Sequence, residues 1–98
     1  MIIAVDFDDT LMLKTATGKA VPNTVLMSSL IKEQARGNIV ILWTCREGEA
    51  LDEAVRYCVQ HGFRPNYVNH NAPEIIKRFG GDSRKIYADV YIDDRAVR

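Results

Sequence analysis

Five of the 13 acidic residues of this 98-residue chain fall in two short groups, Asp6, Asp8 and Asp9 near one end and Asp93 and Asp94 near the other. Each group directly follows an apolar run: Ile2-Ile3-Ala4-Val5 precedes the first, and the stretch from Ile86 to Ile92 precedes the second. A third run, Ile39 to Trp43, ends in Thr44-Cys45-Arg46. If the runs are neighbouring parallel strands, these polar residues meet beyond one sheet edge, where open parallel sheets bind ligands. Carboxylates gathered there repel one another and lose solvation unless a cation joins them, and their hard oxygens suit Mg²⁺. A single Asp at a strand end more often turns the chain or caps a helix. Turn chemistry does not account for five at one predicted edge.

The elements that must position these residues are legible from periodicity. Continuous β-branched runs predict buried strands over Ile2 to Phe7 and Ile39 to Trp43, which places Trp43 in the core. A polar, Gly-containing stretch covers Lys14 to Ala20. Pro22 and Asn23 then open a helix with Leu26, Met27, Leu30 and Ile31 on its apolar side, closed by Gly37. Leu51, Ala54, Val55, Cys58 and Val59 recur at helical spacing, with Gly62 as the stop. Tyr67-Val68 is a short strand, and Asn71 with Pro73 starts a third helix that runs through Phe79 to Gly80-Gly81. Alternating strands and helices predict an α/β domain, a Rossmann-like three-layer α/β/α sandwich with a mainly parallel sheet, spanning residues 1–98 as one unit.

Composition narrows the function classes. Apolar residues make up 47% of the chain, enough for one globular core at this length and against disorder as the main state. Lys and Arg number 13, so the formal net charge is zero, which argues against a general nucleic-acid or anionic-membrane binder. Setting aside the five clustered aspartates leaves 8 acidic residues against 13 basic ones, a remainder of +5 that favours the approach of an anion to a metal-neutralised acidic site. Two cysteines, Cys45 and Cys58, have neither disulfide-framework nor metal-site spacing. They point to a reducing compartment, and the apolar run broken at Asp6 fits no signal peptide or spanning helix, so a cytoplasmic location is expected.

Asp6-x-Asp8-x-Thr10 after the first strand, Thr44 after the second, Lys85, and finally Asp93-Asp94 stand in an order that resembles the haloacid dehalogenase superfamily of Mg²⁺-dependent phosphohydrolases. A response-regulator receiver domain also groups Asp, Thr and Lys around Mg²⁺, but its phosphoacceptor follows a later strand. The resemblance implies that Asp6 is the nucleophile, forming an aspartyl-phosphate, and that Asp8 is the general acid and base. It implies Mg²⁺ held by Asp6, the backbone carbonyl of Asp8 and Asp93, with Asp94 a ligand through water or a partner of the ligands. Thr44 would bond a phosphoryl oxygen, and Lys85 would neutralise it and restrain Asp6. Lys77 is a rival for the Lys85 role, although it also fits a solvated helix face. Arg46 and Asn69 lie where they could contact a phosphorylated substrate, and a merely solvated Arg46 is the competing reading. Asn71 has the competing task of capping a helix, and His70 is not needed as a ligand. Thr10 is expected to shape the turn, Cys45 to serve packing or spacing, and Asp89 to serve a turn or salt bridge away from the metal.

The chain departs from many of its apparent relatives in having no room for a cap domain, because the 40 residues between Thr44 and Lys85 are used by two helices and a strand. Substrate selection then falls to short loops, to a neighbouring copy in a homo-oligomer, or to the substrate itself, a phosphorylated small molecule or macromolecule. The four residues after Asp94 are fewer than the helix and strand with which relatives commonly continue. Two further readings stay open: a non-catalytic domain that binds Mg²⁺ or phosphate, and a phosphotransferase that passes the phosphoryl group to an acceptor other than water.

Overall fold

Two apolar runs become central strands buried on both faces, a third pairs at the edge with its residues half-buried, and helices then cover both sides of the sheet. The computed structural model describes residues 1–79 and 86–94, so Gly80, Gly81 and Lys85 lie outside the described residues. Its elements are β1 (Ile2–Val5), β2 (Met12–Lys14), β3 (Ala20–Pro22), α1 (Thr24–Ala35), β4 (Ile39–Leu42), α2 (Gly48–Gln60), β5 (Tyr67–Val68), α3 (Pro73–Phe79) and β6 (Val90–Ile92). β5, β4, β1 and β6 form a four-stranded sheet in that order, and every pairing within it is parallel. Among the described residues no helix is long and apolar enough to cross a membrane.

Side-chain alternation sends each central strand's residues to two cores. Ile3, Val5, Val40 and Leu42 face one core with Met27 and Leu30 of α1 and Ala54 and Cys58 of α2. Ile2, Ala4 and Ile41 face the other with Ala72, Ile75 of α3 and Ile86. The sheet is therefore flanked by two helices on one face and one on the other. Ile31 and Val59, expected on the apolar helix faces, are instead exposed, since each lies at the margin of its helix's buried stripe. Gly37 and Gly62, both at positive φ, end α1 and α2 as the sequence predicts.

Three boundaries differ from expectation. β1 ends at Val5, two residues before Phe7, because the chain turns back at once: the Phe7 carbonyl accepts from the amides of Thr10, Leu11 and Met12, and Asp9 takes a left-handed conformation (φ 61°). The stretch after Thr10 then forms an antiparallel hairpin of β2 and β3, which pairs Met12 with Pro22. Pro22 thus closes a strand, and α1 begins at Thr24 with Asn23 as its cap, its side chain accepting from the Leu26 amide. β4 stops at Leu42, which leaves Trp43 beyond the strand and 44% exposed rather than in the core.

Short strands are completed by side chains acting as backbone. Asn66 gives its own amide to the Val40 carbonyl while its Oδ1 accepts from the Val40 amide, extending the two-residue β5 at one end. Asp89 does the same for β6: its amide donates to the Ile2 carbonyl and its Oδ2 accepts from the Ile2 amide at 2.7 Å. The role expected for Asp89, a turn or salt bridge, is thus replaced by a ladder bond at the strand end remote from the acidic groups. Asp89→Ala should lower stability by about 1 kcal/mol, the worth of one hydrogen bond. Asp89→Asn, which keeps an acceptor, should recover much of that loss. Urea unfolding midpoints of the three proteins provide the check.

Candidate functional site

Parallel register decides which residues meet. Val5 pairs with Leu42 on one side and with Ile92 on the other, so the three central strands end at one level. The next residues, Asp6, Trp43 and Asp93, stand together at the carboxyl edge, tied by bonds from the Asp6 amide to the Ile92 carbonyl and from the Trp43 amide to the Val5 carbonyl. The chain builds outward from β1 through β4 to β5 and then returns to the opposite side of β1 with β6. A crevice opens at such a reversal of strand order, because the flanking connections leave in opposite directions.

A cavity of about 230 Å³ lies at this place, and its lining includes Asp6, Thr44, Asp93 and Asp94 together with Trp43 and Tyr91. Four of the predicted site residues are thereby brought to one cavity. Cys45 is exposed at the same cavity rather than packed. The other cysteine, Cys58, is buried in the core, where burial pushes its thiol up to about 11.

Asp6 is partly withdrawn from water. Burial pushes its carboxyl above the usual aspartate range; the Phe7 amide, donating to Oδ1 at 2.8 Å, pulls the other way, and the negative charges of Asp8, Asp94 and Asp93 push it further up. Asp8 has the opposite environment. Arg46 grips its carboxylate with two parallel bonds, Nε to Oδ2 at 2.9 Å and Nη2 to Oδ1 at 2.8 Å, and this holds Asp8 below the usual range. The guanidinium also lies over the Phe7 ring, 4.7 Å from its centroid, and donates to the Ala50 carbonyl. Arg46 is therefore tied to Asp8, Phe7 and Ala50 rather than solvated alone, and neither Arg46 nor Asp8 is among the residues lining the cavity.

The loop after β4 is organised by Asn69. Its amide donates to the Leu42 carbonyl, its Oδ1 accepts from the Thr44 amide at 2.8 Å, and its left-handed backbone (φ 55°) allows both. Expected at the substrate, Asn69 is found holding Thr44 in place. Thr44 is buried, and its Oγ1 accepts from the Arg46 amide at 3.2 Å, which leaves the hydroxyl hydrogen to serve as a donor. Thr10 supports the turn through its amide, while its buried hydroxyl has no hydrogen-bond partner among the described residues. Asn71 is buried with its Oδ1 accepting from the Tyr87 amide, and the His70 ring contacts the Asn71 carbonyl through Nδ1. Lys77 is exposed on α3 and is not among the residues lining the cavity; Lys85 lies outside the described residues.

Among the described residues no group of three or more His, Cys, Asp or Glu side chains is arranged to hold a metal ion. Mg²⁺ does not require one, because it keeps several waters and binds through one or two carboxylates together with phosphate oxygens. Asp6 and Asp93, side by side at the edge and facing one cavity, are such a pair in type and placement. Their mutual repulsion is what a cation would relieve.

Two outcomes follow from these environments. Because the Asp6 pKa is raised on folding, its contribution to stability is full below the ordinary aspartate pKa and lost as pH rises through the raised value. Asp6→Asn should therefore raise the neutral-pH melting temperature by about 2–5 °C without divalent cations. Mg²⁺ should narrow the gap by stabilising the wild type, as scanning calorimetry would show. The Asp8 pKa is lowered, so its contribution is present above the ordinary aspartate pKa and lost as pH falls through the lowered value. Asp8 is nearly half exposed, so solvent screens the pair and Arg46→Ala should cost only about 1 kcal/mol at pH 7. Denaturant titrations at descending pH should show that difference shrinking.

No family model matches the chain, and neither does any curated protein. A solved structure of a conserved protein from Bacteroides thetaiotaomicron does match, with 37% sequence identity and a TM-score of 0.77, over 98% of this chain and 77% of that one. With similarity at that level along nearly its whole length, the chain belongs to the same family as this conserved Bacteroides thetaiotaomicron protein.

Proposed function

We propose that the domain is a Mg²⁺-dependent phosphomonoester hydrolase of the haloacid dehalogenase type, built without a cap domain. The observation that carries this reading is the meeting of Asp6, Thr44, Asp93 and Asp94 around one cavity at the reversal of strand order. In this reading Asp6, Asp93 and the Asp8 carbonyl hold Mg²⁺, with Asp94 beside them. When bound, the ion supplies charge neutralisation between an anionic nucleophile and an anionic phosphoryl group.

An Asp6 carboxylate oxygen attacks phosphorus, and the bond from phosphorus to the ester oxygen breaks. The leaving oxygen takes a proton from Asp8, so an alcohol departs and an aspartyl-phosphate remains. Asp8 then removes a proton from water, whose oxygen attacks phosphorus. The bond between phosphorus and Asp6 breaks, releasing inorganic phosphate and regenerating both carboxyl groups in their starting protonation states. Thr44 donates its hydroxyl hydrogen to a phosphoryl oxygen, and the resemblance assigns Lys85 the matching positive charge. Arg46 is shared: an entering phosphoryl group competes with Asp8 for the guanidinium, and release of Asp8 favours the protonated form that a general acid needs.

The grip of Arg46 on Asp8 also favours a second reading, in which the domain binds Mg²⁺ and phosphate without turnover, because Asp8 is held there as an anion. Transfer from Asp6 to an acceptor other than water is a variant of the first. Phosphate release separates these readings. The wild type should release phosphate from phenyl phosphate with Mg²⁺ and lose this activity in excess chelator. Asp6→Asn should fall by about 10³-fold or more, and Asp8→Asn by about 10²-fold to 10⁴-fold. Equal rates for wild type and Asp6→Asn in purified protein would sink the aspartyl-phosphate mechanism. Binding of phosphate without turnover would establish the second reading.

A further inference from the structure

The cavity has a wall that the phosphoryl chemistry does not use. Ala4 pairs in register with Tyr91, and Asp6, Trp43 and Asp93 follow at the next level but one along the same pleat. Alternation places Ala4, Tyr91, Asp6 and Trp43 on a single face of the sheet. α3 and Ile86 pack on that face around Ile2, Ala4 and Ile41, with Tyr91 against their edge. The carboxyl-terminal part of the face is the cavity, with Trp43 and Tyr91 meeting edge-on at a centroid separation of 6.1 Å beside Ala4.

Several features distinguish this wall from the packed core. Trp43 is 44% exposed although it directly follows an apolar strand. The Tyr91 hydroxyl accepts from the Ala88 amide and donates to the Ile86 carbonyl, which fixes the ring in place. Ala4, buried beneath the wall, is among the residues lining the cavity and adds no bulk to it. The wall and Asp6 share one cavity, and its 230 Å³ is below the roughly 300–1,000 Å³ of clefts that enclose drug-sized ligands. That space suits one ring and one phosphoryl group.

We propose that this aromatic wall selects the leaving group, and that the substrate class is aryl phosphate monoesters with a single phenol-sized ring. This rests on the phosphohydrolase reading above and adds the substrate to it. The ring packs against Trp43 and Tyr91 while its phosphate lies at Asp6. The same chemistry is presented by a free aryl phosphate and by a phosphotyrosine side chain, and the mouth of the cavity is open to either.

Trp43 is the single tryptophan of the chain, so its fluorescence reports occupancy of the wall independently of turnover. The full chain with Mg²⁺ would be titrated with phenyl phosphate, a phosphotyrosyl peptide, a nucleoside monophosphate, glycerol phosphate and inorganic phosphate, and kcat/KM measured for each ester. Phenyl phosphate or the peptide should change the emission saturably, with kcat/KM about tenfold above glycerol phosphate. Whichever of the two is preferred identifies the source. Trp43→Leu, at an exposed position that tolerates substitution, should collapse the aryl-to-glyceryl ratio about tenfold. Turnover with no aryl preference, or a ratio unmoved in Trp43→Leu, overturns the aromatic assignment and leaves the phosphohydrolase reading standing. A preference for the nucleoside monophosphate overturns the single-ring assignment. Saturable emission changes with aryl phosphates but no phosphate release overturn the hydrolytic reading while supporting the wall, and neither response overturns both.

Discussion

The common register of β4, β1 and β6 is the constraint on which the rest of the structure depends. Because Val5 is paired on both sides, the residues that follow the three strands emerge at one level, and Asp6, Trp43 and Asp93 become neighbours. A slip of one residue in either pairing would send an acidic side chain to the opposite face, into the core of Phe7, Leu11 and Met27. Hydrophobic burial on both faces prevents that slip. The apolar runs thus position the carboxylates as well as stabilise the sheet.

Gathering carboxylates has a cost that the surrounding structure distributes unevenly. Asp6 bears it, pushed up by burial and by three like-charged neighbours, with a single backbone amide in compensation. Asp8, two residues away, escapes through the Arg46 fork. Two carboxylates separated by a single residue are driven in opposite directions by where the turn after Val5 points them. That divergence is the usual physical route by which two similar acids come to serve different roles.

Much of this was legible in the residues. Continuous β-branched runs marked β1 and β4, glycines marked the ends of α1 and α2, and the position of acidic residues directly after strands placed them at the carboxyl edge of the sheet. What escaped notice depends on side chains standing in for backbone. Asn66 and Asp89 lengthen strands too short to announce themselves, and Asn69 secures Thr44 from a loop 25 residues away. Nothing local distinguishes such residues from ordinary polar loop positions. The β2–β3 hairpin was hidden similarly, since its strands are three residues each and only Met12 among them is buried.

By itself the sequence determined the alternating α/β order, the buried runs and the residue types available at their ends, because these follow from periodicity and local conformational preference. Tertiary structure alone decided which of those residues share a cavity and in what electrostatic state. Trp43 shows the difference: as the last member of an apolar run it reads as core, yet β4 ends one residue earlier and the core beneath α3 gathers Ile2, Ala4 and Ile41 without it. Its exposure beside Asp6 is a property of strand register and helix placement, which no local pattern encodes. Arg46 shows it too, since its partner Asp8 is 38 residues away and becomes adjacent only when β1 and β4 pair.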